Sequence, residues 1–220
     1  MWMPSIVRKI GVFAKWLTYK NQCLLCHQPS DTWLCPSCYQ AGRCQQLNPM
    51  AYEPGHYYGY HYDGVIRQLL YLVKFKHDLL AAAALSEYLM DWFDTANWLE
   101  QFDAIIPVPI HRKRYRQRGF NQSIALIKPV AAYFQIPLEI HTCYRRYYTQ
   151  PQAQSTREQR QRQLTQVFAQ RHPLAYRHVA IFDDVYTTGA TVDALRQRLL
   201  TYPGNHIEQV SVITLCHAGK

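Results

Sequence analysis

The stretch VAIFDDVYTTGAT, residues 179–191, decides how this chain reads. Val179–Phe182 are four consecutive apolar residues, the mark of a strand buried on both faces. Asp183 and Asp184 follow at its carboxyl end, where open α/β sheets bind ligands. Thr187, Thr188 and Thr191 then offer hydroxyls, and Gly189 lets the backbone approach a ligand closely. A helix predicted over Ala190–Leu200 presents free N–H groups at its start. Together these features form a cradle for a phosphomonoester. The acid pair suits ribose hydroxyls, or a magnesium ion held among sugar and diphosphate oxygens. Adjacent carboxylates raise each other's pKa and are expensive to hold without a cation or hydroxyl donors. The plainer alternative is a capped strand-to-helix turn with incidental acids.

Outward from this motif, strands alternate with helices. Alternating tyrosines between Tyr52 and Tyr62 predict a strand ending at the Asp63-Gly64 turn. Two helical patterns follow, Val65–Phe75 and Leu79–Phe93, the second running through Ala81–Ala84. Asp103–Pro109 reads as a buried strand, and the basic run HRKRYRQRG after it as a loop. A helix over Phe120–Phe134 contains Pro129, which should kink it at a cost of about 3 kcal/mol. Pro137–Thr142 and Ile207–Leu215 are further strand candidates, and 145–171 reads as an exposed loop plus a polar helix. The pattern predicts an α/β fold with a mainly parallel sheet.

The chain has 220 residues, 48% of them apolar, which allows one main domain and argues against wholesale disorder. Its net charge of +9 is uneven. From Pro107 to Arg177 there are 13 Lys and Arg against Glu139 and Glu158 alone, while the remainder is slightly acidic. A basic segment of this kind points to a phosphate compound or a nucleic acid, or simply to a solvated basic face. No stretch approaches a membrane span in length, so the chain is expected to be soluble or peripheral.

Cys23, Cys26, Cys35 and Cys38 follow the pattern C-x2-C-x8-C-x2-C. Two-residue spacers let one tight turn aim two thiolates at one ion, and two such knuckles complete a tetrahedral zinc site. Four sulfur ligands leave no open position, so the metal would be structural. His27 and Cys44 are spare donors. No secretory signal is evident, which favours reduced, metal-binding thiols over disulfides. Residues 1–20 place Ile6, Ile10, Phe13 and Leu17 at helical spacing without an acidic residue, a helix either packed on the body or lying on a membrane surface.

The strand–DD–x–x–TTGAT pattern resembles the phosphoribosyl-diphosphate motif of type I phosphoribosyltransferases, with Tyr186 in place of the usual aliphatic. Adding the four-cysteine motif, LVKFKHD (72–78), PVPIHRKRYRQRGFNQ (107–122) and RYYTQPQAQSTREQRQR (146–162), the chain resembles the ComF family of competence proteins, which includes GntX-type proteins. The resemblance spans residue 20 onward. It implies a type I phosphoribosyltransferase-like α/β domain over 49–220 with a small zinc module at 21–48, while the residue pattern before them sets apart an N-terminal amphipathic segment at 1–20.

By this resemblance Asp183 and Asp184 hold ribose, Thr187, Thr188, Gly189, Ala190 and Thr191 cradle the 5′-phosphate, and Arg112, Arg116 and Arg118 face the diphosphate. Arg145–Arg162 falls where a mobile loop closes over substrate. The implied chemistry displaces diphosphate from C1 of phosphoribosyl diphosphate with magnesium sharing the charge. The zinc module and the Tyr52–Tyr62 segment would then form a hood for an acceptor the sequence does not identify. A second reading is a single-stranded DNA-binding protein in which Tyr144, Arg145, Arg146, Tyr147 and Tyr148 stack bases and neutralise phosphates. A third is a scaffold docking a DNA-uptake ATPase or helicase. The resemblance places all three in the cytoplasm or at the inner face of the membrane, in natural transformation or the use of DNA as a nutrient.

Overall fold

The structure, a computed structural model, describes residues 21–47, 55–95, 102–147 and 167–219. The expected helix within 1–20, Tyr52, Tyr148 and most of the loop 145–162 lie outside them. In chain order the elements are α1 (Pro36–Arg43), β1 (His56–His61), α2 (Gly64–Phe75), α3 (Leu79–Asp94), β2 (Ala104–Pro107), α4 (Arg112–Arg118), α5 (Gln122–Tyr133), β3 (Cys143–Arg145), β4 (Phe168–Gln170), β5 (His178–Tyr186), α6 (Ala190–Thr201) and β6 (Gln209–His217).

Four strands form an all-parallel sheet in the order β1-β6-β5-β2. β5 is central, with Ile181 opposite Val212 of β6 on one side and Ile106 of β2 on the other. Its apolar run can be continuous because both faces are covered. On one face α2, α3 and α5 bury Leu69, Leu85, Leu89, Leu126 and Val130 against Phe182 and Ile213. On the other, α6 and the antiparallel β3–β4 pair bury Leu195, Leu199 and Phe168 against Val179, Ile181 and Val212. The expected α/β architecture, a parallel sheet with helices on both faces, is present. Among the described residues no helix is long and apolar enough to cross a membrane.

Local chemistry sets the helix boundaries. In α2, Ile66, Leu69, Leu70 and Val73 recur at helical spacing and are buried. Asp78 caps α3, its carboxylate accepting from the N–H groups of Leu80 and Ala81 at 2.8 and 3.1 Å. Asn121 caps α5 through the Ser123 N–H at 3.0 Å.

Several expectations need correction. HRKRYRQRG is not a loop: Arg112–Arg118 is helical, with His111 Nδ1 accepting from Lys113 N–H and Gly119 closing the helix at φ 85°. None of its residues is buried, so no apolar period could announce it. As expected, Pro129 lies inside one helix, α5, from Gln122 to Tyr133, and Ser86 Oγ donates to the Leu126 carbonyl at 2.9 Å one turn before the proline. Pro137–Thr142 contributes a single parallel bridge, Leu138 to Ile105, rather than a strand. Immediately beyond it the Glu139 carboxylate accepts from Thr142 Oγ1 and the Tyr176 hydroxyl, which hold this segment through side chains. β5 also runs past Phe182 to Tyr186, so the acid pair lies within the strand.

Candidate functional site at the acid pair and the cysteine cluster

Asp183 lies opposite Thr214 near the carboxyl end of β5. Asp184 is buried, and Asp183 keeps some exposure. Asp183 Oδ1 accepts from Ser123 Oγ of α5 at 3.0 Å and from the Asp184 N–H at 2.9 Å. Lys74 of α2 brings its Nζ to 2.5 Å from Asp184 Oδ2. Desolvation, with the neighbouring Asp184 charge added, pushes the Asp183 carboxyl up to about 8. Burial would lower the Lys74 ammonium, but Asp184 and then Asp183 hold it above its ordinary value.

Beyond β5, Thr187 and Thr188 are exposed, and Gly189 precedes α6 at φ 75°. A Cβ there would collide with the Tyr186 hydroxyl, so glycine is needed for backbone angle and space alike. Tyr186 in turn stacks on His217, with ring centroids 5.6 Å apart, and meets Tyr58 and His56. Its departure from the usual aliphatic residue is absorbed by this aromatic packing.

The three arginines expected to face a diphosphate are divided. Arg118 is half-buried and bonded to the Gln122 side chain; burial lowers its pKa, while the nearby Asp184 charge opposes that shift. Arg112 and Arg116 instead line a groove of about 450 Å³ with His111, Lys113 and Gln117. Arg145, read from the sequence as a DNA contact, is half-buried with its guanidinium 5.7 Å from the centre of the Phe168 ring. Burial and then Arg114 lower its pKa, against the opposing charge of Asp183. Tyr144 and Tyr147 remain exposed, the first beneath Arg171 at 5.1 Å and the second beneath Arg146 at 5.7 Å.

Sequence reasoning assigned no site role to Lys74, Ser123 or Arg114. Lys74 stands inside LVKFKHD and Ser123 directly follows RGFNQ, so both lay in or beside segments already marked by the family resemblance. Nothing local indicated that they converge on β5.

The cysteine cluster is assembled by two turns. In the first, the His27 N–H donates to the Cys23 carbonyl at 3.0 Å and His27 takes φ 59°. In the second, Cys35 is the N-cap of α1 and Cys38 sits within its first turn. The four Sγ atoms lie within 4.8 Å of one another, and Cys26 and Cys35 approach to 3.5 Å. A tetrahedral S4 zinc site requires sulfurs about 3.8 Å apart, so this donor set could hold a metal such as zinc. Burial pushes the Cys23 thiol up, but the N–H groups of Cys26, Cys35 and Leu25 bring it down to about 6. Cys44 and His27 do not join the cluster. α1 docks on α3 through Tyr39, stacked on Tyr88 at 4.7 Å and donating to Asp91 Oδ2 at 2.7 Å.

No family model matches the chain. It is similar to DNA utilization protein YhgH of Shigella flexneri, 30% identical over 91% of this chain and 98% of that one. The same-named protein of Escherichia coli (strain K12) is 29% identical over the same shares. Competence protein F of Haemophilus influenzae is 32% identical over 53% of this chain and 51% of its own. Similarity spanning almost the full length of both chains, joined to the parallel sheet and the cysteine cluster, makes this chain a member of the ComF family.

Proposed function

We propose that this chain binds phosphoribosyl diphosphate, or a related ribose phosphate, at the carboxyl end of β5 and serves in the uptake or utilization of DNA. The DNA role rests on the names of its relatives. The ligand rests on one observation: an acid pair lies near the carboxyl end of a central parallel strand, and beyond that strand the backbone turns through left-handed Gly189 directly into α6. In this reading Asp183 and Asp184 take the ribose hydroxyls, and Thr187, Thr188, Gly189, Ala190 and Thr191 take the 5′-phosphate. Arg118 and Arg145 supply positive charge beside the acid pair, and Arg112 and Arg116 supply it along α4.

The chemistry such a site supports is phosphoribosyl transfer. An acceptor nucleophile forms a bond to C1 as the C1–O bond to diphosphate breaks, the diphosphate leaving with the electron pair. The protein contributes orientation and fixed positive charge for the leaving group. The acid pair does not suit a divalent cation, because the Lys74 ammonium already neutralises Asp184. Magnesium would instead belong with the oxygens of a diphosphate ligand. The cysteine cluster fits a structural zinc ion, and the chain is assigned to the cytoplasm.

A rise in melting temperature with millimolar phosphoribosyl diphosphate and magnesium tests the ligand assignment, provided that Thr188→Val reduces it. No rise would overturn it. A second reading, contact with single-stranded DNA, is favoured by the exposed Tyr144–Arg171 and Tyr147–Arg146 pairs.

A further inference from the structure

Two adjacent carboxylates in a protein interior need a countercharge, and here another element supplies it. Lys74 approaches from α2, more than a hundred residues before β5, and its Nζ lies 2.5 Å from Asp184 Oδ2. The Lys74 side chain is 22% exposed and that of Asp184 5%, so the contact is shielded from bulk water. Asp183 Oδ1 already accepts from Ser123 Oγ and the Asp184 N–H. The two carboxyl groups also contact each other, and beyond that contact no other protein donor reaches Asp183 Oδ2 or Asp184 Oδ1 among the described residues. Two acceptor carboxyl groups on neighbouring residues can offer one oxygen to each hydroxyl of a vicinal diol.

We propose that Lys74 is a positioning residue, the fixed countercation of the Asp183–Asp184 pair, which lets the pair bind the vicinal diol of a ribose 5-phosphate without a divalent cation. This rests on the ribose-phosphate reading above. A metal held directly by both carboxylates would be repelled by the ammonium already at 2.5 Å. The remaining charged or titratable groups around the pair strengthen that bias. Arg118 of α4 and Arg145 of β3 act on it as cations, and Cys216 of β6, whose Sγ donates to the Asp184 carbonyl, is held in its thiol form by burial. The pKa of Asp183, raised by burial and by the Asp184 charge, leaves the pair without a second strong anion for a metal to bind. A metal requirement for the diphosphate part of a larger ligand is a separate matter and is left intact.

The test is titration calorimetry of the full chain with ribose 5-phosphate, in EDTA and in millimolar magnesium. Wild-type affinity should be the same in both within about twofold. Lys74→Met should bind roughly tenfold more weakly in EDTA, with part of the loss recovered in magnesium as the ion replaces the missing ammonium. Lys74→Arg should recover most of the affinity in EDTA, whereas a purely structural role for Lys74 would produce no recovery by metal. Wild-type binding that appears only with magnesium overturns the countercation role and leaves the ribose-phosphate reading standing; this measurement decides the matter even if Lys74→Met fails to fold. Equal affinity of Lys74→Met and wild type in EDTA does the same. Absence of wild-type binding under both conditions overturns the ribose-phosphate reading and the countercation role with it.

Discussion

The Lys74 ammonium pairs with Asp184, at 2.5 Å, and not with Asp183, which makes two adjacent aspartates of one strand chemically unequal. Asp184 is one half of a buried ion pair. Asp183 is a carboxyl whose ionisation is opposed by burial and by its neighbour.

Neutralising each aspartate should therefore move stability in opposite directions. Asp184→Asn strands the Lys74 ammonium and should cost about 3 kcal/mol. For Asp183, the folded protein holds the proton up to about pH 8, whereas an ordinary aspartate releases it near 3.8. The folded state thus binds more protons across that window, and its stability falls as pH rises through it. Asp183→Asn should flatten the decline and raise stability at pH 8. Urea unfolding of both variants at pH 5 and pH 8 measures this; equal destabilisation at pH 8 would refute the inequality.

Removal of metal should be felt beyond the cysteines. Cys23 and Cys35 belong to the same buried cluster as Leu85 and Leu89 of α3, and Tyr39 stacks on Tyr88. Cys38→Ser should lose bound zinc, lower the melting temperature and weaken near-ultraviolet dichroism from the tyrosine pair. Cys44→Ser, exposed and outside the cluster, should change none of these. Elemental analysis beside thermal melts is the check, and metal loss in Cys44→Ser would mean the ligand set is wrong.

Gly189→Ala should destabilise the protein by about 1–2 kcal/mol and weaken ribose 5-phosphate binding, since the residue sits at φ 75° and its new methyl group meets the Tyr186 hydroxyl. Combining it with Tyr186→Leu removes the collision but not the backbone strain. Stability should then return only in part. Full recovery in the double variant would show that the backbone angle carries no cost.

Arg145 and Arg146 are neighbours in sequence with different surroundings. Arg146→Ala and Arg171→Ala should weaken single-stranded DNA binding and make it less sensitive to salt, the log–log slope falling by about 0.7 for each phosphate that is no longer neutralised. Arg145→Ala should instead reduce ribose-phosphate affinity, because its guanidinium lies within the field of Asp183. Fluorescence anisotropy at several salt concentrations separates them. Identical salt slopes for wild type and Arg146→Ala would remove Arg146 from the interface.

Whatever depends on neighbours in sequence was legible before the fold was known. The apolar run of β5, the Asp pair, the Thr/Gly turn and the cysteine knuckles are local patterns whose geometry follows from spacing, so the parallel sheet, the turn from β5 into α6 and the cysteine cluster could all be anticipated. Helix α4 escaped because it is short and solvated, with no apolar stripe to set a period; only its ends, the His111 cap and Gly119, carried any signal. Tertiary structure alone decided what meets the acids. Lys74, Ser123 and Arg145 come from three separate elements, tens of residues from β5 or farther, and no propensity or period encodes their convergence. Their meeting depends on how α2 and α5 pack on one face of the sheet and β3 on the other. Charge composition could report a basic segment, but which cations turn inward to Asp183 and Asp184 is a consequence of packing.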